Sequence, residues 1–288
     1  MTGPRAGEYK VLVTTTLRPA GPEVRHDDGR RSRPYDICVN SRRVGGIQLA
    51  TDARFGPTAG RIEALGVDAP DRHRGRATVA ALAAEEVLRG WGCRQIELTV
   101  PADAEAAVRL SAALGYTERS RTMARALTRP GGLPDGSVDR PMSETEYPAW
   151  WDAVVAERIR SETAQGVPLA HAERTTAAEH DALFPEGAAT PGQVLRVLAH
   201  EGRDVGTLWL VLRLPGQPGG YVRDVRVAPE HRGEGHGRSL MLVAERETLS
   251  AGRGSLALNV AADNVPALGL YRSLGYRTTA YRMWKPIL

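Results

Sequence analysis

The chain of 288 residues carries a formal net charge of +4, is 42% hydrophobic and 25% charged, and contains two cysteines. That length favours two domains over a single core, and that composition excludes a disordered chain. Cys38 and Cys93 alone exclude a disulfide framework, so reduced, buried thiols are expected.

No apolar run reaches the roughly eighteen residues of a membrane span. The opening MTGPRAGEYK lacks the apolar stretch of a signal peptide. A cytoplasmic protein with no membrane partner is expected. Lysine occurs only at Lys10 and Lys285, so nearly all positive charge is arginine. With abundant alanine and glycine, this suggests a GC-rich bacterial source. A modest +4 spread along the chain is weak evidence for nucleic acid, which usually wants a basic stripe with interleaved aromatics, but arginine suits a polyanionic ligand.

In chain order, YKVLVTTTL, YDICVNS, RVGGIQLA and GRIEALGV read as strands. A helix TVAALAAEEVLRGWG, a strand QIELTV, a helix AEAAVRLSAALGY and a strand SRTMARAL follow. The segment between the first two strands, RPAGPEVRHDDGRRSRP, is too polar and broken for a helix pair. A Pro- and Gly-rich linker, TRPGGLPDGSVDRP, comes next. Beyond it Ser143 stands three residues before Glu146, a capping box for a helix that runs on through Trp150 and Trp151. A second helix HAERTTAAEHDALF precedes strands QVLRVLAHE, DVGTLWLVLRL and GGYVRDVRVA. Helix GRSLMLVAERETLSAG, strand SLALNVAA, helix NVPALGLYRSLGY and strand RTTAYRMWKPI complete the chain.

The order of elements repeats. Arg74 and Arg232 are 158 residues apart, and the LGY glycines Gly115 and Gly275 are 160 apart. The pattern predicts two duplicated α+β domains with mixed sheets, residues 1–128 and 142–288, joined by a linker over 129–141.

The most informative stretch is VRVAPEHRGEGHGRSLM, Val225 to Met241. Gly233, Gly235 and Gly237 permit backbone angles closed to other residues. They stand where a helix begins, so free N–H groups and the positive end of its dipole face a ligand. Successive amides in such a turn form an anion nest suited to a pyrophosphate. A Walker loop is excluded because no lysine is present. A dinucleotide fingerprint is excluded because Ala228 to His231 separate the strand from the glycines.

Arg232 to Gly237, RGEGHG, fits the Q/R-x-x-G-x-G/A signature of the GNAT acyl-CoA N-acyltransferases, and NVPALGLYRSLGY fits a second motif of that family downstream. The second half therefore resembles a GNAT domain over most of its length. The first half resembles one in layout only, lacking the first helix pair, so the whole resembles a tandem GNAT protein. The resemblance implies acetyl-CoA or another acyl-CoA as co-substrate, no metal, and direct transfer to a primary amine of a small molecule in a ternary complex. It implies that the loop backbone, Arg232, Gly233, Glu234, Gly235, His236, Gly237 and Arg238, holds the coenzyme A pyrophosphate. Main-chain groups of Val225, Arg226 and Val227 would pair with the pantetheine arm, with Asn264 and Ala267 beside it, and an N–H there would polarise the thioester carbonyl.

Tyr271 stands at the family's general-acid position, donating to the coenzyme A sulfur. Its structural alternative is an aromatic on the buried face of its helix. Asn264 serves the ligand, the helix N-cap, or both. Asp224 is the candidate base, because a central strand carrying Arg223, Asp224 and Arg226 needs a wet cleft or a charge partner. A plain Asp–Arg pair is its alternative. His231 and His236 have no third ligand beside them in the sequence reading, so they are expected to be solvent-facing rather than metal-binding. Tyr147, Trp150 and Trp151 wall the acceptor pocket or form a core stripe.

Aligning His73–Gly75 with His231–Gly233 puts Ala77 at Gly235 and Val79 at Gly237, while the LGY alignment puts Ser111 at Tyr271 and Ala104 at Asn264. The first half is thus expected to be a degenerate, non-catalytic copy kept for packing, with weak ligand binding as its alternative. Two other readings remain. The donor could be an acyl carrier protein or tRNA, drawn to the arginine-rich RHDDGRRSRP loop, or the chain could be an acyl-CoA sensor without turnover. The acceptor, the oligomeric state and the acyl group are not written in the sequence.

Overall fold

The computed structural model describes residues 14–27, 29–129, 131–214 and 216–287. The chain divides into two compact units, one holding residues up to Leu98 with the C-terminal residues from Lys285, the other Thr99–Trp284.

In the first unit, β1 (Thr15–Pro19), β3 (Arg31–Val39), β4 (Arg42–Asp52), β5 (Gly56–Val67) and β6 (Gln95–Pro101) lie side by side in that order, with the short β2 (Val24–Arg25) paired to β3. The pairings are antiparallel except the parallel β5–β6. The helix α1 (Arg76–Gly90) buries Ala80, Ala84 and Leu88, one side chain per turn. Among the described residues no helix lies between β1 and β3, as expected. Instead β2 and β3 form a hairpin in which Arg25 binds Glu23, and Arg33 donates to the Gly21 carbonyl. The first part of the YKVLVTTTL strand lies outside the described residues.

The second unit contains α2 (Glu105–Ala113), β7 (Thr117–Ala126), β8 (Ser137–Pro141), α3 (Tyr147–Ala164), α4 (Leu169–Leu183), β9 (Gln193–His200), β10 (Arg203–Val211), β11 (Gly220–Val227), α5 (His236–Ser250), β12 (Ser255–Ala261), α6 (Val265–Ser273) and β13 (Arg277–Pro286). Its strand order is β8-β9-β10-β11-β12-β7-β13. The end of the expected linker is thus an edge strand, because Ser137–Pro141 pairs with His200–Arg196. Ser143 is not the helix N-cap as expected: α3 begins at Tyr147 with Glu146 in the cap position, and the Glu146 carboxylate instead accepts from the Ser143 N–H at 2.8 Å and the Ser143 hydroxyl at 2.6 Å.

Alternation along the strands sorts the core into two layers. Leu198, Leu208 and Leu210 face α5 with Leu240, Met241 and Ala244. Leu195, Val197, Trp209 and Val211 face α3 and Phe184.

The two units share one construction at an offset of 160 residues. Ala80, Ala81, Ala84, Glu85 and Leu88 of α1 are buried, as are Leu240, Met241, Ala244, Glu245 and Thr248 of α5. The buried glutamates find their cations in the other repeat's last strand. Glu85 binds Lys285 at 2.8 and 3.0 Å. Glu245 binds Arg125 at 2.8 Å and accepts from the Tyr276 hydroxyl at 3.1 Å. Backbone bonds repeat the exchange, with Ile287 donating to the Arg94 carbonyl and Leu127 to that of Gly254, each at 2.8 Å.

Removing the cation from a buried pair leaves an uncompensated charge. Arg125→Leu is therefore expected to lower unfolding free energy by about 3 kcal/mol. Adding Glu245→Leu to Arg125→Leu should recover most of that loss. Urea denaturation of the two single variants and the double variant measures it, and additive losses would refute the coupling.

Candidate active site

Strands β11 and β12 are hydrogen-bonded only from Gly220–Leu256 to Val222–Leu258. Among the described residues the β12 side of β11 beyond Val222 has no strand partner, while β12 continues along β7 to Ala261. The two strands part there, and the Val227 carbonyl accepts from Arg232 instead. On the other side, the β10 register slips so that Arg223 is an extra residue between Asp224, opposite Trp209, and Val222, opposite Leu210. Such a bulge re-aims the backbone at the point where the strands part.

A short 3-10 turn, Pro229–His231, leads into the loop. Arg232 is extended, and its Nε donates back to the Val227 carbonyl at 3.3 Å. Gly233 (φ +88°) and Gly235 (φ +90°) are left-handed, and Gly235 caps α5. Among the described residues, the amides of Gly233 through Gly237 make no backbone hydrogen bond. They form a row of free donors at the positive end of a helix of 15 residues. An anionic pyrophosphate fits these groups.

Gly237 also has a packing role. It lies within the first turn of α5, where an added Cβ would stand 3.2 Å from Leu270 Cδ2. Arg238 reaches Ser273 Oγ at 2.6 Å, joining α5 to the end of α6. Asn264 caps α6, its Oδ1 accepting from the Ala267 N–H at 3.2 Å.

Tyr271 on α6 is 9% exposed, and its hydroxyl has no hydrogen-bond partner among the described residues. Burial, with the Asp224 charge adding to it, pushes the phenol up to about 12. Such a phenol keeps its proton at neutral pH and acts as a donor. Burial also raises the Asp224 carboxyl, against the opposing pull of Arg226, whose guanidinium stands 3.6 Å away, and with a smaller push from Glu157. The second Asp224 oxygen, Oδ2, is buried without a partner. A raised carboxylate with a free oxygen is equipped to take a proton.

On the α3 side of the sheet, Glu179 of α4 binds both Arg158 of α3 and Arg223 at the bulge, and Arg223 lies 5.1 Å from the Trp209 ring centre. This fastens the helix pair to β11 at its bulge. Tyr147 and Trp150 belong mainly to the apolar core with Phe184 and Trp209. Trp150 also lines a cavity of about 270 Å³ with Met142, Glu146, Thr207 and Arg226. The Trp150 Nε1 and Thr207 Oγ1 are buried there without partners.

His231 and His236 are not both solvent-facing, since His236 is 5% exposed. Glu234 is the third group that the spacing of the histidines concealed. The left-handed glycines turn it back so that its Oε2 lies 3.1 Å from His236 Nε2 and 3.6 Å from His231 Nδ1.

The first half departs from the expectation of a decayed loop. Its α1 is capped by Gly75 at φ +72°, in the position of Gly235, and His73 takes a left-handed φ of +59° in the position of Gly233. The Arg72 Nε donates to the Val67 carbonyl at 2.8 Å, as Arg232 does to Val227. Strands β5 and β6 pair only to Ile62–Leu98, and Glu63 is bulged out opposite β4 as Arg223 is opposite β10. The loops therefore align at 160 residues, not 158, and Ala77 answers Gly237 rather than Gly235. Read so, Arg72-His73-Arg74-Gly75-Arg76-Ala77 also spells R-x-x-G-x-A. The LGY spacing carried this signal, and the matching HRG tripeptides obscured it. The side-chain differences stand. Ala104 caps α2 without a side-chain bond, and Ser111 donates to the Val108 carbonyl.

Parted parallel strands, a bulge beside the parting and a loop of free amides opening a helix define an acyl-CoA-type transferase fold, present twice. The Acetyltransferase (GNAT) family profile matches residues 12–116 and 156–276, and the chain belongs to that family. It is 29% identical over 282 residues to a mycothiol acetyltransferase of Clavibacter michiganensis, covering 95% of this chain and 82% of that one. A mycothiol acetyltransferase of Pseudarthrobacter chlorophenolicus is 32% identical over 181 residues, 60% of this chain and about half, 54%, of that relative's length. Among solved structures, a tandem GNAT protein from the clavulanic acid biosynthesis pathway shares the fold, with a TM-score of 0.52, 19% identity and coverage of 90% of this chain and 83% of that one. A GCN5-related N-acetyltransferase from Sphaerobacter thermophilus gives 0.57, 20%, 88% and 80% for the same measures. No helix among the described residues is long and apolar enough to cross a membrane.

Because burial raises Asp224, the native state holds its proton to higher pH than the unfolded chain does. Stability therefore falls as pH rises through that window, and the ionised group is a net cost above it. Asp224→Asn should raise the urea midpoint at pH 7, and the gain should vanish as pH falls to about 4, the ordinary carboxylate value. An unchanged midpoint at pH 7 would contradict the buried, partner-poor carboxylate.

Proposed function

We propose that the chain transfers an acetyl group from acetyl-CoA to a primary amine of a small molecule, by direct transfer in a ternary complex, with the chemistry in the second repeat, residues 142–288. The observation that supports this reading is the pairing of Asp224, on β11 where the strands part, with Tyr271 on α6, each raised by burial and Tyr271 raised further by the Asp224 charge. Acetyl-CoA, when bound, supplies the thioester. The amides of Gly233 through Gly237 hold its pyrophosphate, and Val225 to Val227 pair with its pantetheine arm. A main-chain N–H beside the Arg223 bulge polarises the carbonyl. Asp224 Oδ2 accepts the proton of the incoming ammonium, and Arg226 steadies the other carboxylate oxygen.

The Tyr271 hydroxyl donates to the departing sulfur. An ordinary thiol titrates near 8.5, well below Tyr271, so the phenol shares its proton in a hydrogen bond more than it surrenders it. The acceptor enters from the α3 and α4 side, where Trp150 Nε1 and Thr207 Oγ1 offer polar contacts. Because relatives spanning most of this chain are named mycothiol acetyltransferase, the acceptor of that reaction is the first to test. Tyr271→Phe should lower turnover by on the order of 100-fold while acetyl-CoA affinity stays near wild type. Weaker binding with unchanged turnover would remove the acid role.

The first repeat, residues 1–128 ahead of the 129–141 connection, is read as a cradle without chemistry. It keeps the backbone donors and lacks the counterparts of Tyr271 and Asn264. Calorimetric titration with acetyl-CoA is expected to give two sites per chain. Gly75→Val should abolish one and Gly235→Val the other, since a β-branched residue is strained at positive φ. A single site, lost in Gly235→Val and untouched by Gly75→Val, would return the first repeat to a purely structural role.

A further inference from the structure

We propose that His231, Glu234 and His236 form a binding site for a divalent transition-metal ion of the zinc type, built into the second repeat's loop. The three ligand atoms lie within 4.8 Å of one another. The carboxylate oxygen is 3.1 Å from one imidazole nitrogen and 3.6 Å from the other. Nitrogen and oxygen ligands sit about 2.0–2.2 Å from zinc, so neighbours on a tetrahedral ion stand roughly 3.4 Å apart. The observed pairs bracket that spacing, and only the His231–His236 edge has to close. Two imidazoles and a carboxylate are a donor set that suits zinc, with a fourth position left to water or another oxygen.

The backbone arranges this convergence. His231 ends the 3-10 turn, His236 opens α5, and Glu234 sits between two left-handed glycines that fold its side chain toward both rings. His236 is buried while the Glu234 side chain is 56% exposed, so the ion has a path to a fixed ligand. His200 supports it from behind. Its ring lies 5.1 Å from that of His236, and its Nδ1 is bonded to Ser137 Oγ at 2.9 Å. Among the described residues Glu234 is hydrogen-bonded to His236 Nε2 and lies close to His231 Nδ1, the two nitrogens that a metal would take. Binding therefore leaves each neutral imidazole with its proton on the other nitrogen.

The first repeat supplies an internal control. It makes the same turn and the same helix start with Asp71, Arg74 and Arg76 in these positions, and Asp71 is bound by Arg42. The loop geometry therefore does not require two histidines and a glutamate.

The test uses the full chain, stripped with a chelator and titrated with zinc chloride by calorimetry, with cobalt(II) absorbance as a second readout. One ion per chain and the visible bands of low-symmetry cobalt are expected. Glu234→Gln and His231→Ala should each weaken binding by more than about ten-fold, since even groups behind a metal ligand are worth that much. Both positions are partly exposed, so these variants remain informative should His236→Ala fail to fold. No binding, or binding unchanged in both variants and so held by other histidines, would overturn the site. Neither readout involves acyl-CoA, so failure here is separate from failure of the acetyltransferase reading.

Discussion

The buried carboxylate on the helix behind each loop is the constraint on which the rest of the architecture turns. Glu245 is 2% exposed and Glu85 is 5% exposed. A carboxylate so far from water is tolerable only with a cation and hydrogen bonds in place. Neither repeat supplies its own cation. Arg125, at the end of the first repeat, serves Glu245, and Lys285, at the end of the second, serves Glu85. The helix that presents the free amides is thus seated by a strand from the other half of the sequence. Strand β7 lies between β12 and β13 for the same reason. A half-chain cut at the 129–141 connection would lose the strand that completes its helix seat. That is a physical reason for both repeats to be kept in one chain.

Backbone and side chains separate cleanly across the repeats. The bulges at Glu63 and Arg223, the matching strand partings and the left-handed residues at 73, 75, 233 and 235 are common to both. What differs is the chemistry hung on that frame: Ser111 bonded to its own helix against a free Tyr271 phenol, and Ala104 against Asn264. Since the pyrophosphate contacts proposed here are main-chain contacts, they survive side-chain change. The side-chain roles proposed for Asp224 and Tyr271 do not. Function belongs to the site grafted on the fold, and here one fold carries two different sets of side chains.

Much of this was legible in the chain. The alternating and helical periodicities marked nearly every strand and helix, and RGEGHG marked the anion loop. Where reading failed, the cause was local. His73 adopts a conformation expected of glycine, so counting glycines undervalued the first loop. Glu234 read as a solvent residue because its turn toward His231 and His236 depends on two φ angles. Ser137–Pro141 looked like linker, since an edge strand needs little apolar pattern. The exchange of last strands could not be read at all. Identical periodicity serves either pairing partner, and only the 160-residue spacing of Arg125 and Lys285 hinted at it.

The placement of Asp224 shows why a central strand carries charge at all. Position 224 faces the α3 and α4 layer, opposite Trp209, where an apolar side chain would pack at no cost. Its partner Arg226 stands at 3.6 Å rather than in a close fork, leaving one oxygen bare. A pair built for stability would close that gap and satisfy both oxygens. Meanwhile the adjacent Arg223 is bound by Glu179 and lies over the Trp209 ring. The helix pair, which has no counterpart among the described residues of the first repeat, thus holds Arg223 through Glu179, while one oxygen of the raised Asp224 carboxyl at the parting of the strands is left without a partner.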